Sequence, residues 1–410
     1  FSKMLESSGD REISSTMAFV RILSSLIRDK NIKDRIVPIV PDEARTFGME
    51  GLFRQLGIYA SEGQKYQPED SDQLMYYRED VKGQVLEEGI NEAGAMSSWI
   101  AAATSYSTNE LPMIPFYIYY SMFGFQRIGD LAWAAGDMQA RGFMVGGTAG
   151  RTTLAGEGLQ HQDGHSHLQA STIPNCISYD PTYSYELTVI IQDGMRRMYV
   201  EEENVFYYLT VMNENYVHPA MPEGSQEGIL KGLYQLSKSK KDNGQNPTVQ
   251  LMGCGTILNE CVTAAEILEN EFGIAANVWS STSINELRRE GLEVQRWNML
   301  HPTEKPRISY VEQCFQEQNG PVVAATDYMK VYADSIREFV PSRYVVLGTD
   351  GFGRSDDRQQ LRSHFEVNHQ YIIIAALSAL FEDGSIDAEV VNKAIKQFNI
   401  DPDKPSPESL

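Results

Sequence analysis

The feature that most constrains this chain is a series of short, unbroken apolar runs set between longer amphipathic stretches. "RIVPIV" (35–40), "IPFYIYY" (114–120), "GFMVGGT" (142–148), "NVFYYLTVM" (204–212), "TVQLMGCG" (248–255), "AANVWSSTS" (275–283), "PVVAATD" (321–327) and "RYVVLGTDGFG" (343–353) are the main ones. They are too short for helices and lack polar alternation, so they read as strands buried on both faces. "GQVLEE" (83–88) and "NCISYD" (175–180) read as further strands. Between them, Met17, Phe19, Val20, Leu23, Leu26 and Ile27 recur at helical spacing behind a Ser14 or Ser15 cap. "NEAGAMSSWIAAATSY" (91–106) reads as an Ala-rich helix, and others are expected over 126–139, within 184–200, up to Gly273, and around 328–339, 370–381 and 388–398. Helix alternating with buried strand predicts the α/β class, built as three-layer α/β/α domains.

The chain of 410 residues exceeds the size at which a single core keeps growing, so two domains are expected. The Pro- and Gly-rich "PAMPEGSQEG" and the polar "SKSKKDNGQNP" mark the break, giving domains 1–222 and 246–410 with a linker over 223–245. The terminal "DPDKPSPESL" is Pro-rich and polar and is expected to be disordered.

Net charge excludes some partners. Thirty-five basic against 56 acidic residues leave −21, which repels nucleic-acid phosphates and anionic membranes. "YIIIAALSALF" (371–381) is about half of the roughly 20 residues a membrane span needs, so it reads as a buried core helix. Cys176, Cys254, Cys261 and Cys314 form no CxxC pair, which argues against a zinc knot or a disulfide framework and fits a cytoplasmic setting. The opening "FSKMLESSGD" has neither a basic nor an apolar leader region, so no signal peptide is expected; the chain reads as part of a longer one.

Three stretches can carry chemistry. In "GEGLQHQDGHSH", His161 and His165 are four apart, as on one helix face, and His165 and His167 two apart, as on a strand. The flanking "GEG" and "DG" favour a turn and HExxH is absent, so metal site, polar loop and substrate-binding loop stay open. In "DEARTFGMEG", Asp42 and Glu43 follow a strand directly, where ligands gather in open α/β sheets, although acidic residues also suit a helix start. In "EEGINEAGA", Asn91 caps the Ala-rich helix and Glu92 stands in its first turn; capping alone would explain both. The apolar helix behind Glu92 implies burial, which favours a neutral carboxyl able to donate a hydrogen bond. The glycine clusters "GCG" and "GTDGFG" complete neither GxGxxG nor a P-loop, so they read as tight turns.

Taken in order, "VPDEARTFGMEGLFRQLGIY", "VLEEGINEAGA", "PFYIYYSMFGFQRIGDLAWAAGD" and "GEGLQHQDGHSH" resemble the homodimeric pyruvate dehydrogenase decarboxylase family of the transketolase superfamily. The resemblance implies a pyrimidine-binding domain followed by a transketolase C-terminal-type domain, without the domain that binds diphosphate and metal. It implies thiamine diphosphate and Mg2+ as cofactors, the metal ligands lying outside this chain, and a homodimer whose interface holds the cofactor. The implied activity is decarboxylation of pyruvate with acetyl transfer to lipoyl groups of the dihydrolipoyl acetyltransferase component; a non-catalytic dimerisation or assembly module is the alternative. Carried over by residue, Glu92 would hydrogen-bond the aminopyrimidine and His161 would meet the substrate. Ile90, Tyr120 and Phe123 would wedge and flank the cofactor, Asp42 and Glu43 would lie on its pyrimidine side, and Arg127 would order the pocket. "DGHSH" is similar to the sugar-binding "DGPTH" of transketolases, which adds Asp163 and His167 as secondary candidates and leaves His165 as loop structure.

Overall fold

The protein's structure, a computed structural model, describes residues 2–41, 44, 47–69 and 77–410. The chain forms two compact units, each assembled from non-contiguous segments. The first comprises Phe1–Ala149, Ser166–Ser178 and Tyr183–Met221; the second comprises Gly150–His165, Tyr179–Thr182 and Pro222–Leu410.

The first unit is organised by a sheet of β1 (Ile36–Val40), β2 (Leu86–Glu87), β3 (Ile114–Tyr120), β4 (Phe143–Gly147), β5 (Cys176–Tyr179) and β6 (Phe206–Thr210), in the order β2-β1-β3-β4-β6-β5. The pairs β2·β1, β1·β3, β3·β4 and β4·β6 are parallel. All of β3 except Tyr120 is buried, which accounts for its unbroken apolar sequence. Helix Glu92–Ala103 packs Ala95, Met96, Trp99 and Ala103 into this core. Trp99 donates its indole N–H to the Phe143 carbonyl at 3.0 Å and meets Phe206 edge-on at 5.8 Å, so its polar end is satisfied where its ring is buried.

The path of the chain defines a crevice. From β1 it moves outward to β2 at one edge, whereas from β3 it moves the opposite way to β4. The carboxyl ends of β1 and β3 therefore flank a topological switch point, where parallel sheets leave room for a ligand.

The second unit carries β7 (Tyr234–Ser237), β8 (Thr248–Gly253), β9 (Ala275–Ser280), β10 (Val322–Ala325) and β11 (Tyr344–Leu347), ordered β7-β9-β8-β10-β11. Only β7 runs antiparallel, at the edge against β9. Here too the connections diverge, β8 leading to β9 on one side and β10 to β11 on the other, so a second switch point lies between β8 and β10. The apolar helix His369–Glu382 buries Ile372, Ile373, Ala376, Leu377, Ala379 and Leu380, as its sequence predicts.

The elements follow the sequence expectations with some differences. The 17-residue helix Ile284–Leu300 was not foreseen, because only Ile284, Asn285, Leu287 and Gly291 are buried and its apolar stripe is correspondingly short. Its start was legible: Ser283 accepts from the Glu286 amide at 3.1 Å, the S-x-x-E signature of a helix N-terminus. The tail expected to be disordered is instead docked. Lys404 donates to the carbonyls of Ser363 (2.9 Å) and His364 (2.7 Å), at the end of helix Arg358–His364 where a cation complements the dipole. All four cysteines are free thiols, Cys314 partly exposed and the others buried. Among the described residues no helix is long and apolar enough to cross a membrane.

One buried histidine ties the first unit together. His218 is fully buried; its Nδ1 accepts from the Ser184 amide at 2.8 Å and its Nε2 lies 3.0 Å from the Ile13 carbonyl. Only the neutral Nε2–H tautomer satisfies both bonds, since a proton on Nδ1 would face the Ser184 N–H. Burial, opposed by the Ile13 bond and aided by Arg21, lowers its pKa to about 4 from 6.5. A histidine with a depressed folded pKa contributes stability above the unfolded pKa and loses it as pH falls through the folded value. Urea unfolding is thus expected to show a loss approaching about 3 kcal/mol between pH 7 and pH 4 from this group. His218→Leu, less stable at neutral pH, should show a correspondingly flatter profile; an unchanged slope would refute the assignment.

Candidate functional site

At the carboxyl edge of the first sheet, the turns after β2 and β3 open two helices whose first residues meet. Asn91 accepts from the Gly94 amide at 3.0 Å and so caps helix Glu92–Ala103. The Glu92 side chain, 11% exposed, accepts from Arg127 Nη1 at 2.6 Å. Arg127 lies in the first turn of helix Phe125–Asp137. Gly124 is required at that helix start, because a Cβ there would lie 2.2 Å from the Tyr119 ring.

Aromatic rings continue from the ion pair. The Arg127 guanidinium lies 4.1 Å from the Phe123 ring centre, a cation–π contact that orients it toward Glu92. Phe123 meets Tyr120 edge-on at 5.8 Å, and Tyr120 packs against Phe47 at 5.4 Å. Tyr117, from inside β3, donates its hydroxyl to the Glu92 carbonyl at 3.4 Å; burial and then the Glu92 charge push this phenol up from its ordinary range. Ile90 precedes Glu92 by two residues and is 76% exposed, an unusual surface position for isoleucine.

The sequence-predicted residues Glu92, Tyr120, Phe123 and Arg127 are thus brought together at the switch point. Asp42 and Glu43 lie outside the described residues. The apolar sequence of the helix foretold burial of Glu92 but not the guanidinium against its carboxylate. Phe47 and Tyr117 were missed, although Phe47 belongs to the same "DEARTFGMEG" stretch that was singled out for its charges.

The histidine stretch resolves into separate parts. His161, partly exposed, follows the tight turn Gly158–Gln160 in the second unit, its Nδ1 3.3 Å from Glu157 Oε2. Asp163 is buried and accepts from the His165 amide at 2.9 Å. His167 belongs to the first unit, on helix Ser166–Ala170; it is fully buried, with Nε2 2.9 Å from Thr210 Oγ1. The secondary candidates Asp163 and His167 are therefore buried side chains engaged with their own surroundings, and His161 is the better exposed. Among the described residues no three His, Cys, Asp or Glu side chains are grouped to hold a metal ion.

The arrangement suits a flat ring. A largely buried carboxyl group beside two partly exposed rings and an exposed isoleucine can, in its protonated form, donate to a ring nitrogen while the apolar groups cover a planar heterocycle.

The fold defines the class. Transketolase structures match over most of the chain: that of Pichia stipitis in complex with sedoheptulose-7-phosphate at TM-score 0.66 and 16% identity, over 93% of this chain and 48% of that one. A split-gene transketolase, described as an inactive β4 tetramer, matches at TM-score 0.58 and 16% identity, over 90% of this chain and 98% of that one. The fold is thus transketolase-like. Residues 1–219 match the family described as pyruvate dehydrogenase E1 component middle domain, and residues 232–368 the transketolase-like C-terminal domain. The chain belongs to the pyruvate dehydrogenase E1 component family. Relatives of that name include those of Pseudomonas aeruginosa, 66% identical over 98% of this chain and 46% of that protein, and of Escherichia coli K12, 61% identical over 99% and 45%. The chain spans about half the length of these curated relatives.

The ion pair is testable by itself. A double-mutant cycle of Glu92→Gln and Arg127→Gln, read by urea unfolding, should give a coupling of about 0.5–1.5 kcal/mol that shrinks with added salt, because Arg127 is half exposed. Strict additivity would show that the two side chains act independently.

Proposed function

We propose that this chain supplies the pyrimidine-side half of a thiamine diphosphate site in a pyruvate dehydrogenase, the metal and diphosphate being held by residues outside it. The observation that carries the reading is Glu92: a carboxylate at the carboxyl edge of a parallel sheet, held by Arg127 and flanked by Tyr120 and Phe123. In this reading Glu92 hydrogen-bonds the pyrimidine ring nitrogen. Tyr120 and Phe123 cover the ring, Ile90 wedges it, and Asp42 and Glu43 line its pyrimidine side. When bound, thiamine diphosphate supplies a stabilised carbanion for attack on a 2-oxo acid. Arg127 holds the Glu92 carboxyl group in place, and His161 contacts the substrate, at its carboxylate or at the oxygen of the reacting carbon.

The substrate would be pyruvate and the acceptor the lipoyl group of the dihydrolipoyl acetyltransferase component, within a cytoplasmic homodimeric enzyme. Family membership over the middle domain supports pyruvate and a place in the complex; the dimer, the lipoyl acceptor and the compartment rest on the family resemblance. The limits 1–222 and 246–410 belong to the same reading as divisions along the sequence, while residues 223–245 carry β7 of the second sheet and so go with the second unit. A second reading, a non-catalytic assembly module, is favoured by one comparison: a split transketolase chain of matching span is described as inactive.

Two measurements decide. Calorimetric titration of this chain with thiamine diphosphate and Mg2+ should give weak binding that metal barely strengthens; tight, metal-dependent binding would overturn the half-site. In a full-length chain containing this sequence, Glu92→Gln should lower turnover at least about 10²-fold while leaving the subunit association intact. Near-normal turnover would remove Glu92 from the mechanism.

A further inference from the structure

The second sheet also has a crevice between the carboxyl ends of β8 and β10, and the chain itself fills it. Asp327, just beyond β10 and fully buried, accepts from the amide (2.8 Å) and hydroxyl (2.7 Å) of Thr152 and from the amide (3.1 Å) and hydroxyl (2.5 Å) of Thr153. Thr153 Oγ1 also lies 2.5 Å from Oγ1 of Thr256, which follows β8. Arg151, nearly fully buried, donates to the carbonyls of Thr349 (2.8 Å) and Gly351, in the turn after β11. The threonines and the arginine thus occupy the place where an open α/β sheet ordinarily takes a ligand.

The same edge holds the rest of Gly150–His165. Gln162 is fully buried; its Nε2 donates to the Leu154 carbonyl at 2.9 Å, and its Oε1 accepts from the Arg354 amide at 2.8 Å. The first bond closes the loop of residues 154–162 on itself, and the second fastens it to the turn after β11. Gly164 offers its carbonyl to the Met329 amide at 2.8 Å. Two glycines make the fit: a Cβ on Gly158 would lie 2.3 Å from Ser355 Oγ, and one on Gly353 would lie 2.6 Å from Gln162 Oε1. His161 is next to Gln162 and, unlike it, partly exposed.

We propose that this crevice is a socket whose ligand is the chain's own segment Gly150–His165, and that Gln162 is the positioning residue through which the socket sets the place of His161. Gln162, having no exposed surface, meets no substrate; it acts through its neighbour. The proposal rests on the reading of His161 as a substrate contact. It also gives the glycine clusters "GCG" and "GTDGFG" a use, as turns that receive protein rather than phosphate.

The test uses a full-length chain containing this sequence, with Gln162→Leu, His161→Ala and the double variant. Gln162→Leu keeps the volume and removes both bonds. It should lower kcat/KM for pyruvate about ten- to a hundredfold, since displacing a contact group by an ångström costs on that order. The dissociation constant for thiamine diphosphate should stay unchanged. On the His161→Ala background, Gln162→Leu should add less than about twofold. Amide hydrogen exchange over residues 154–163 and at Arg354, whose amide loses its acceptor, should accelerate in Gln162→Leu while other segments keep wild-type rates.

His161→Ala with near-normal turnover would sink the substrate-contact reading and this proposal with it. An impaired His161→Ala combined with an undiminished Gln162→Leu effect, or unaltered exchange over 154–163, would overturn the socket alone. Should Gln162→Leu fail to fold, Gln162→Glu serves the same cycle: it keeps the acceptor for the Arg354 amide and sets a carboxyl oxygen against the Leu154 carbonyl in place of the donor.

Discussion

Burial of a parallel sheet on both faces is the constraint on which the rest of this structure depends. With six of the seven residues of β3 enclosed, the faces of the sheet are closed to any ligand and only its ends remain. Chemistry is thereby confined to the turns at the carboxyl edge. Those turns also begin helices, so each supplies backbone N–H groups as well as whatever residue follows, and Asn91 adds a capping side chain to one of them. Glu92 and Arg127 meet because two such helix starts face one switch point; Asn91 and Gly124 fix the turns that aim them.

The two sheets use the same topology for opposite ends. In the first unit the switch point displays a carboxylate, a guanidinium and partly exposed rings. In the second, the equivalent place is packed with threonine hydroxyls around a buried aspartate. Burial pushes the Asp327 carboxyl upward, while Arg362 and the Thr153 and Thr152 bonds pull it down. A carboxylate enclosed in this way is tolerable only with its acceptor positions filled, which makes the segment it holds a required part of the unit.

Legibility in the sequence followed burial. Strand β3, the Asn91 cap and the apolar helix His369–Glu382 were read correctly because their apolar patterns match what they bury. Helix Ile284–Leu300 hides most of its length from the core, so periodicity said little and only the Ser283 cap spoke for it. The terminal tail looked disordered by composition, yet Lys404, aimed at two helix-end carbonyls, and Arg354, which donates to the Leu410 carbonyl, dock it. The histidine spacing left metal site, polar loop and substrate-binding loop open, and nothing in it shows that the chain leaves one compact unit and enters the other between His165 and Ser166. Asp327 went unread although it stands at a strand's carboxyl end, because nothing in "PVVAATD" shows that its partners lie some 175 positions earlier.

The threading of Gly150–His165 and Tyr179–Thr182 into the second unit also bears on how such a protein can be taken apart or recombined. A cut in the Pro- and Gly-rich stretch near residue 222 separates the sequence neatly but leaves the C-terminal piece with an empty groove and a stranded buried carboxylate. That piece cannot be exchanged between relatives as a cassette unless the segments filling its groove travel with it. A hybrid chain would have to take those few loop residues from the same parent as the groove that receives them.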